Sequence, residues 1–321
     1  MADPSALSDA RVIAATPLVP GIVEIAIEPA DGRPVAGFAP GAHILCEVTL
    51  PDGTTGTRAY SLVNAPDDRT AYRIAVQREA GGRGGSRFVH ALAPGVPIRI
   101  GAPRNDFPLA ADADEHVLIA GGIGVTPILA MARALRAAGG VHQVHYVGRD
   151  RAGMAYAGEL AAAGANVVSD GGDPARGISL SVVLGEPAEG RRAYVCGPRG
   201  LIEAVQRAAA AAGWHDSHVR FELFGAEAPR AGDGTFEVEL RRSGIRLTVL
   251  PHDTILDGMI GAGLDPLFDC HRGECGLCTV GVIEGVPDHR DMNLSQREKE
   301  SGKVMCTCVS RSKTPLLVLD A

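Results

Sequence analysis

The chain has 321 residues, 45% of them hydrophobic, and carries 31 Lys and Arg against 38 Asp and Glu, a net charge of −7. That length accommodates two or three domains with cores of their own. The balance is mildly acidic with no basic patch, which argues against a nucleic-acid partner. The longest nearly apolar run, Val117–Ala132, is broken by three glycines and a proline, which argues against a membrane span.

The opening MADPSALSDA lacks the basic and apolar regions of a signal peptide, and seven cysteines, an odd number, suit a reducing compartment. A cytoplasmic protein is expected, and a monomer. Up to Pro108 the chain reads as short alternating runs split by Gly and Pro: VEIAIEPA, HILCEVTLPDG, YRIAVQRE and VPIRIGAP. Strands at this spacing predict a small antiparallel β-barrel. Within it, RAYSL places Arg58, Tyr60 and Ser61 on one strand, a cation, an aromatic and a hydroxyl. GGRGGS follows, Gly81–Ser86, a glycine-dense loop able to form an N–H nest for a phosphate or, equally, a plain surface turn.

The middle of the chain changes character. HVLIAGG reads as a buried strand, TPILAMARALRAAGG as a helix ending in glycines, and VHQVHYVGR as a second strand. A helical stretch around Tyr156–Ala163 follows, then strands in NVVSD, RRAYVCGP and HVRFELF. Alternation of strand and helix predicts a doubly wound parallel α/β sheet. GGIGVTP sits between strand and helix. There Gly122 and Gly124 would let backbone approach a ligand, Thr126 would cap the helix, and Pro127 suits its first turn. A helix N-terminus is a natural pyrophosphate site. CGPRG makes a second such turn with Cys196, Gly197 and Pro198, at another carboxyl end of the same sheet.

GAEAPRAGDG is a Gly/Ala/Pro-rich connector. The remainder predicts a hairpin in TFEVELRRSGIRLTVL, a short helix near Ile255–Ala262 and a final strand in PLLVLD. Between them Cys270, Cys275 and Cys278 fit C-x4-C-x2-C, and Cys308 follows after a further x29. That is the plant-type spacing for a [2Fe–2S] cluster on four thiolates. Zinc sites pair CxxC with a second CxxC or HxxxH, which this segment lacks, and a disulfide pair is the other alternative. Gly273 and Gly276 would admit backbone N–H groups to the sulfurs. Cys306 is a second candidate for the fourth ligand, since in an extended segment it points the same way as Cys308. The x29 gap favours Cys308.

The order RxYS, GRGGS, PRNDFPL, GGIGVTP, CGPRG and a C-terminal ferredoxin motif resembles the phthalate dioxygenase reductase family over essentially the whole chain. The resemblance implies a flavin barrel over residues 1–108 and a nicotinamide-binding α/β domain over 109–226. A linker would cover 227–234, and a β-grasp plant-type ferredoxin domain 235–321. It implies FMN beside Arg58, Tyr60 and Ser61, with its phosphate on Gly84, Gly85 and Ser86 and its ring shielded by Phe224. For Phe224 the alternative is core packing. Gly122, Gly124, Thr126, Pro127, Cys196, Gly197 and Pro198 would meet the nicotinamide cofactor. Arg199 and Gly200 depart from the family pattern after CGP.

Electron counting supports the same set of cofactors. A nicotinamide gives up two electrons as hydride, whereas a plant-type cluster accepts one at a time near about −400 mV. A flavin with a stable one-electron state resolves the mismatch. No side-chain acid or base is required; Ser61 would hydrogen-bond near the reacting flavin nitrogen or, equally, act as a strand hydroxyl bonded to backbone. NADH is expected. NADPH stays open, because Arg149 and Arg151 would tolerate a 2′-phosphate that Asp150 opposes. The implied activity is an NAD(P)H-dependent iron–sulfur flavoprotein reductase serving a separate Rieske-type oxygenase component. A P450 or other haem monooxygenase is the alternative partner. A stand-alone redox-sensing module is a rival of another class, which the order of the motifs disfavours.

Overall fold

The computed structural model describes residues 6–82, 84–225 and 230–321. They divide into two compact units, with the boundary between Glu222 and Leu223.

The first unit begins with β1 (Leu7–Val19), β2 (Ile22–Pro29), β3 (His43–Thr49), β4 (Thr55–Ser61), β5 (Tyr72–Gln77), α1 (Gly85–His90) and β6 (Pro97–Gly101). The strands form an antiparallel sheet of order β4-β3-β6-β1-β2-β5. A bridge between Leu62 and Ile74 joins its two edges, so the sheet closes as the expected barrel. β1 was not among the strands anticipated from sequence, yet it is central. Register shifts at Val12/Ala14 and Pro17/Val19 bend it, and it pairs with β2 along its length and with β6 through Leu7–Arg11. Alternate residues fill the interior: Val12, Ile25, Ile27, Ile44, Leu62 and Ile74 are fully buried.

The chain continues as β7 (Glu115–Gly121), α2 (Val125–Ala137), β8 (Val141–Gly148), α3 (Ala157–Ala162), β9 (Asn166–Ser169), α4 (Leu180–Leu184), β10 (Arg191–Cys196), α5 (Arg199–Ala211) and β11 (Val219–Glu222). The sheet is parallel, ordered β11-β10-β7-β8-β9. From Val117 onward β7 is apolar and buried because the sheet is covered on both faces. Its core also takes in Ile22, Val63, Ala75 and Phe107 from the barrel side, packed with Val125, Ile128 and Met131. The two sheets of the first unit therefore share buried surface.

The second unit contains β12 (Phe236–Leu240), β13 (Ile245–Val249), α6 (Ile255–Gly261), β14 (Thr279–Glu284), β15 (Pro287–Asp288), α7 (Gln296–Ser301), β16 (Val304–Cys306), β17 (Arg311–Ser312) and β18 (Leu316–Asp320). Its main sheet runs β13-β12-β18-β14-β16, with β12 and β18 parallel. Thr254 caps α6 by accepting from the Asp257 N–H at 3.0 Å. α7 carries a capping box between Ser295 and Glu298. Asp233 accepts a two-pronged hydrogen bond from Arg290, which also pairs with Asp288. The Arg290 guanidinium holds the Asp233 carboxyl well below the usual carboxylate range.

Candidate redox sites

β4 displays the RAYS motif by alternation. Arg58 and Tyr60 share one face and Ser61 takes the other, opposite His43 on β3. Ser61 is 6% exposed. Burial pushes the Tyr60 phenol up. Gly84 sits at φ 105°, and a Cβ there would lie 2.4 Å from Pro51 Cδ, so only glycine makes this turn. At Gly85 a Cβ would meet Arg58 Cγ at 2.9 Å. The Arg58 side chain thus crosses the glycine turn, bringing the two motifs to one place. Among the described residues no side chain caps α1, which begins there. A guanidinium beside uncapped helix-start amides fits a phosphate-bearing flavin. The Ser86 hydroxyl is engaged, accepting from the Glu79 N–H at 3.1 Å. Arg83 lies outside the described residues.

The two glycine turns of the parallel sheet stand side by side at the carboxyl ends of β7 and β10, which are adjacent. They pack backbone on backbone. A Cβ on Gly124 would fall 2.3 Å from the Cys196 carbonyl oxygen, and one on Gly197 would fall 2.9 Å from Gly121 Cα. These glycines are needed for turn-on-turn packing, which the sequence did not reveal. At Gly122 a side chain would meet nothing within 4 Å, so this is the glycine with an open approach. Thr126 does not cap the helix as expected. It lies inside α2, is 2% exposed, and donates to the Ile123 carbonyl at 3.1 Å; Gly124 occupies the cap. The cause is a 3-10 turn over Gly122–Gly124 that starts the coil early. Pro127 stands in the first turn, as anticipated, and Pro198 precedes α5. Past β8, the Asp150 carboxylate accepts from the Ala152 N–H at 3.2 Å while Arg149 is exposed. Gly124→Ala should overpack this junction and cost about 1–3 kcal/mol. Thermal unfolding measures the loss, and an unchanged midpoint would contradict the close packing.

In the second unit the loop after Cys270 is held in a left-handed path by His271, Gly273 and Gly276, at φ 52°, 74° and 76°. A Cβ on Gly273 would lie 2.6 Å from Val309 Cγ2, and one on Gly276 2.4 Å from Asn293 Nδ2. The turn aims backbone amides at sulfur: the N–H groups of Arg272 and Cys275 both donate to Cys270 Sγ at 3.4 Å. Cys278, Cys306 and Cys308 are buried, Cys270 is half-buried and Cys275 exposed. None is joined to another in a disulfide. Cys308 hydrogen-bonds to both Cys270 and Cys278, whereas Cys306 reaches Cys278 and the Thr279 hydroxyl. Hydrogen bonding from Cys308 draws the Cys270 thiol down to about 4, and the same contact pushes Cys308 up. The contacts thus favour thiolate at Cys270 and Cys278, while burial pushes the Cys275 thiol up.

Among the described residues no group of three or more His, Cys, Asp or Glu is arranged to hold a single metal ion. A two-iron cluster asks for four thiolates gathered in one lined pocket, and the five sulfurs converging here fit that demand. Two supports were missed from sequence. Thr307 donates through both its N–H and its hydroxyl to the Cys278 carbonyl at 3.1 Å, fastening the segment between Cys306 and Cys308 to the loop. Arg272 and Glu274, ordinarily surface residues, engage the backbone of Leu223: Arg272 Nη1 donates to its carbonyl at 2.6 Å, and its N–H donates to Glu274 Oε2 at 3.4 Å. Phe224 follows and is 38% exposed, so it is not a core residue.

Comparison with known proteins finds relatives over most of the chain. Residues 97–219 match the family model "Dimethylamine monooxygenase subunit DmmA-like, N-terminal domain", and residues 238–313 match "2Fe-2S iron-sulfur cluster binding domain". The phthalate dioxygenase reductase of Burkholderia cepacia is 37% identical over 297 residues, covering 90% of this chain and 90% of that one. The heme-dependent oxidative N-demethylase beta subunit of Ectopseudomonas mendocina is 36% identical over 317 residues, covering 98% and 99%. A solved phthalate dioxygenase reductase, described as a modular structure for electron transfer from pyridine nucleotides to [2Fe–2S], superposes with a TM-score of 0.75 at 33% identity, covering 98% of each chain.

Proposed function

Because the chain belongs to the phthalate dioxygenase reductase family, an NAD(P)H-dependent iron–sulfur flavoprotein family, we propose that its partner is a separate Rieske-type oxygenase component. The protein is an electron-transfer reductase that passes electrons from NADH through FMN and a [2Fe–2S] cluster to an oxygenase. Residues 1–108 hold the flavin, 109–226 the nicotinamide, 227–234 link, and 235–321 carry the cluster. When bound, the flavin accepts the two electrons of a hydride and releases them singly. The chain's own residues do the rest. Arg58 and the Gly84–Gly85 turn hold the phosphate, and Tyr60 and Ser61 lie along the flavin strand. The turns at Gly122 and Gly197 receive the dinucleotide at adjacent carboxyl ends, where parallel sheets bind ligands. Cys270, Cys275, Cys278 and Cys308 hold the iron.

The observation that carries this reading is the approach of Cys308 to both Cys270 and Cys278 of the C-x4-C-x2-C loop. The free cysteines suit a reducing compartment and hence the cytoplasm, and the protein acts as a monomer. No helix among the described residues is long and apolar enough to cross a membrane. A haem partner is the second reading, favoured by the likeness to the heme-dependent demethylase subunit. Purified Rieske and haem oxygenases, each mixed with the NADH-reduced protein, decide between them by which is reduced.

Removal of the flavin should abolish NADH reduction of the cluster and of cytochrome c, and FMN should restore both. Cofactor extraction and chromatography should yield FMN, and stoichiometric FAD would overturn that assignment.

A further inference from the structure

One guanidinium in the first unit spans the elements that the proposed function assigns to its two ligands. Arg133 lies on α2, the helix that starts at the nicotinamide turn. Its Nη1 donates to the Val63 carbonyl at 2.6 Å, two residues past Ser61 at the end of the flavin strand. Its Nε and Nη2 form a fork with the Glu159 carboxylate at 2.8 and 2.7 Å. The Arg133 guanidinium also lies 5.9 Å from the centroid of the Tyr156 ring.

Tyr156 makes the second tie. Its hydroxyl donates to Glu24 Oε2 on β2 at 2.7 Å, and Glu24 Oε1 accepts from Arg73 Nη1 on β5 at 3.2 Å. Burial, with Glu24 adding to it, pushes the Tyr156 phenol up, so it stays a donor. Tyr156 holds φ 59°, a left-handed conformation for a residue with a side chain. Such a conformation persists where surrounding contacts over-determine it. Beneath these ties, Ile22, Val63 and Ala75 pack with Val125, Ile128 and Met131 in one apolar cluster. The ties therefore rim a buried seam between barrel and parallel sheet.

Hydride transfer demands reacting atoms about 3–3.5 Å apart, and a misplacement of about 1 Å can cost on the order of 100-fold. Apolar packing alone is tolerant of sliding, whereas a forked guanidinium bonded to a fixed carbonyl is not. We propose that Arg133, supported by Tyr156 and Glu24, is a positioning residue for hydride transfer: it sets the register of the nicotinamide helix against the flavin strand. This rests on the reading that the barrel holds flavin and the parallel sheet NADH.

Stopped-flow reduction of the flavin-loaded full chain by NADH tests it. Arg133→Met should lower the limiting rate of flavin reduction at least roughly tenfold, while the NADH dissociation constant stays within about twofold. Arg133→Lys keeps a donor for Val63 but loses the fork, and its rate should fall between. Tyr156→Phe removes the bond to Glu24 alone and should slow the same step about threefold. A residue that only stabilised the fold would lower the unfolding midpoint and leave the limiting rate of the folded fraction unchanged. Limiting rates within about twofold of wild type in Arg133→Met and Tyr156→Phe overturn the proposal. Should Arg133→Met fail to retain flavin, Tyr156→Phe decides alone by the same criterion. A wild-type chain that NADH does not reduce would instead remove the functional reading, and the proposal with it.

Discussion

Cys308→Ser is expected to abolish the cluster's visible absorption and bound iron, while Cys306→Ser keeps both. The two positions are alike in sequence and both are buried, so the difference rests on what each sulfur reaches. Cys308 contacts two cysteines of the loop, Cys270 and Cys278. Cys306 is paired across β14 with Thr279 and shares a hydrogen bond with its hydroxyl. Cys306 also reaches Cys278, but Cys308 reaches two cysteines of the loop where Cys306 reaches one, which favours Cys308 as the fourth ligand. Iron analysis and the absorption spectrum of the purified variants read the outcome. Loss of the cluster in Cys306→Ser with retention in Cys308→Ser would move the fourth ligand to Cys306.

Ending the chain after Phe224 is expected to preserve NADH-driven reduction of ferricyanide and to drop transfer to the oxygenase to near background. The proposed flavin and nicotinamide turns all lie before Glu222, within one compact unit whose core includes residues from both sheets. Among the described residues, the buried members of that core all lie before Glu222. The four proposed iron ligands are removed together. Steady-state assays with both acceptors make the comparison. An oxygenase driven at full rate by the shortened chain would show that the ferredoxin unit is not the outlet, and would remove the centre of the functional reading.

The punctuated strands of the barrel, the strand–turn–helix at Gly121–Pro127 and the cysteine loop were legible from the sequence because each signal is local. β1 was not. Its segment ARVIAATPLV includes Pro17, Thr16 and consecutive alanines, so it shows no clean alternation, and its place between β2 and β6 comes from pairing. Thr126 carries the right residue type for a cap but sits past a 3-10 turn that sequence does not announce. The fit of Gly124 against Cys196 and the reach of Arg133 to Val63 join residues far apart in the chain. Periodicity specifies which face a residue takes, but not which distant backbone that face will meet.

The strand order of the second unit constrains how it comes into being. β18 stands between β12 and β14, its Leu317, Val318 and Leu319 buried at 0–2% exposure. During synthesis every cysteine of the loop, and β12, β13, β14 and β16, are made before Leu316–Asp320. Until then the halves of the sheet lack the strand that joins them. The first unit, complete at Glu222, can fold earlier, since domains generally fold as units in order of emergence. The sheet that carries β14 and β16, and with them Cys306, is therefore completed last, after all of the first unit has been made.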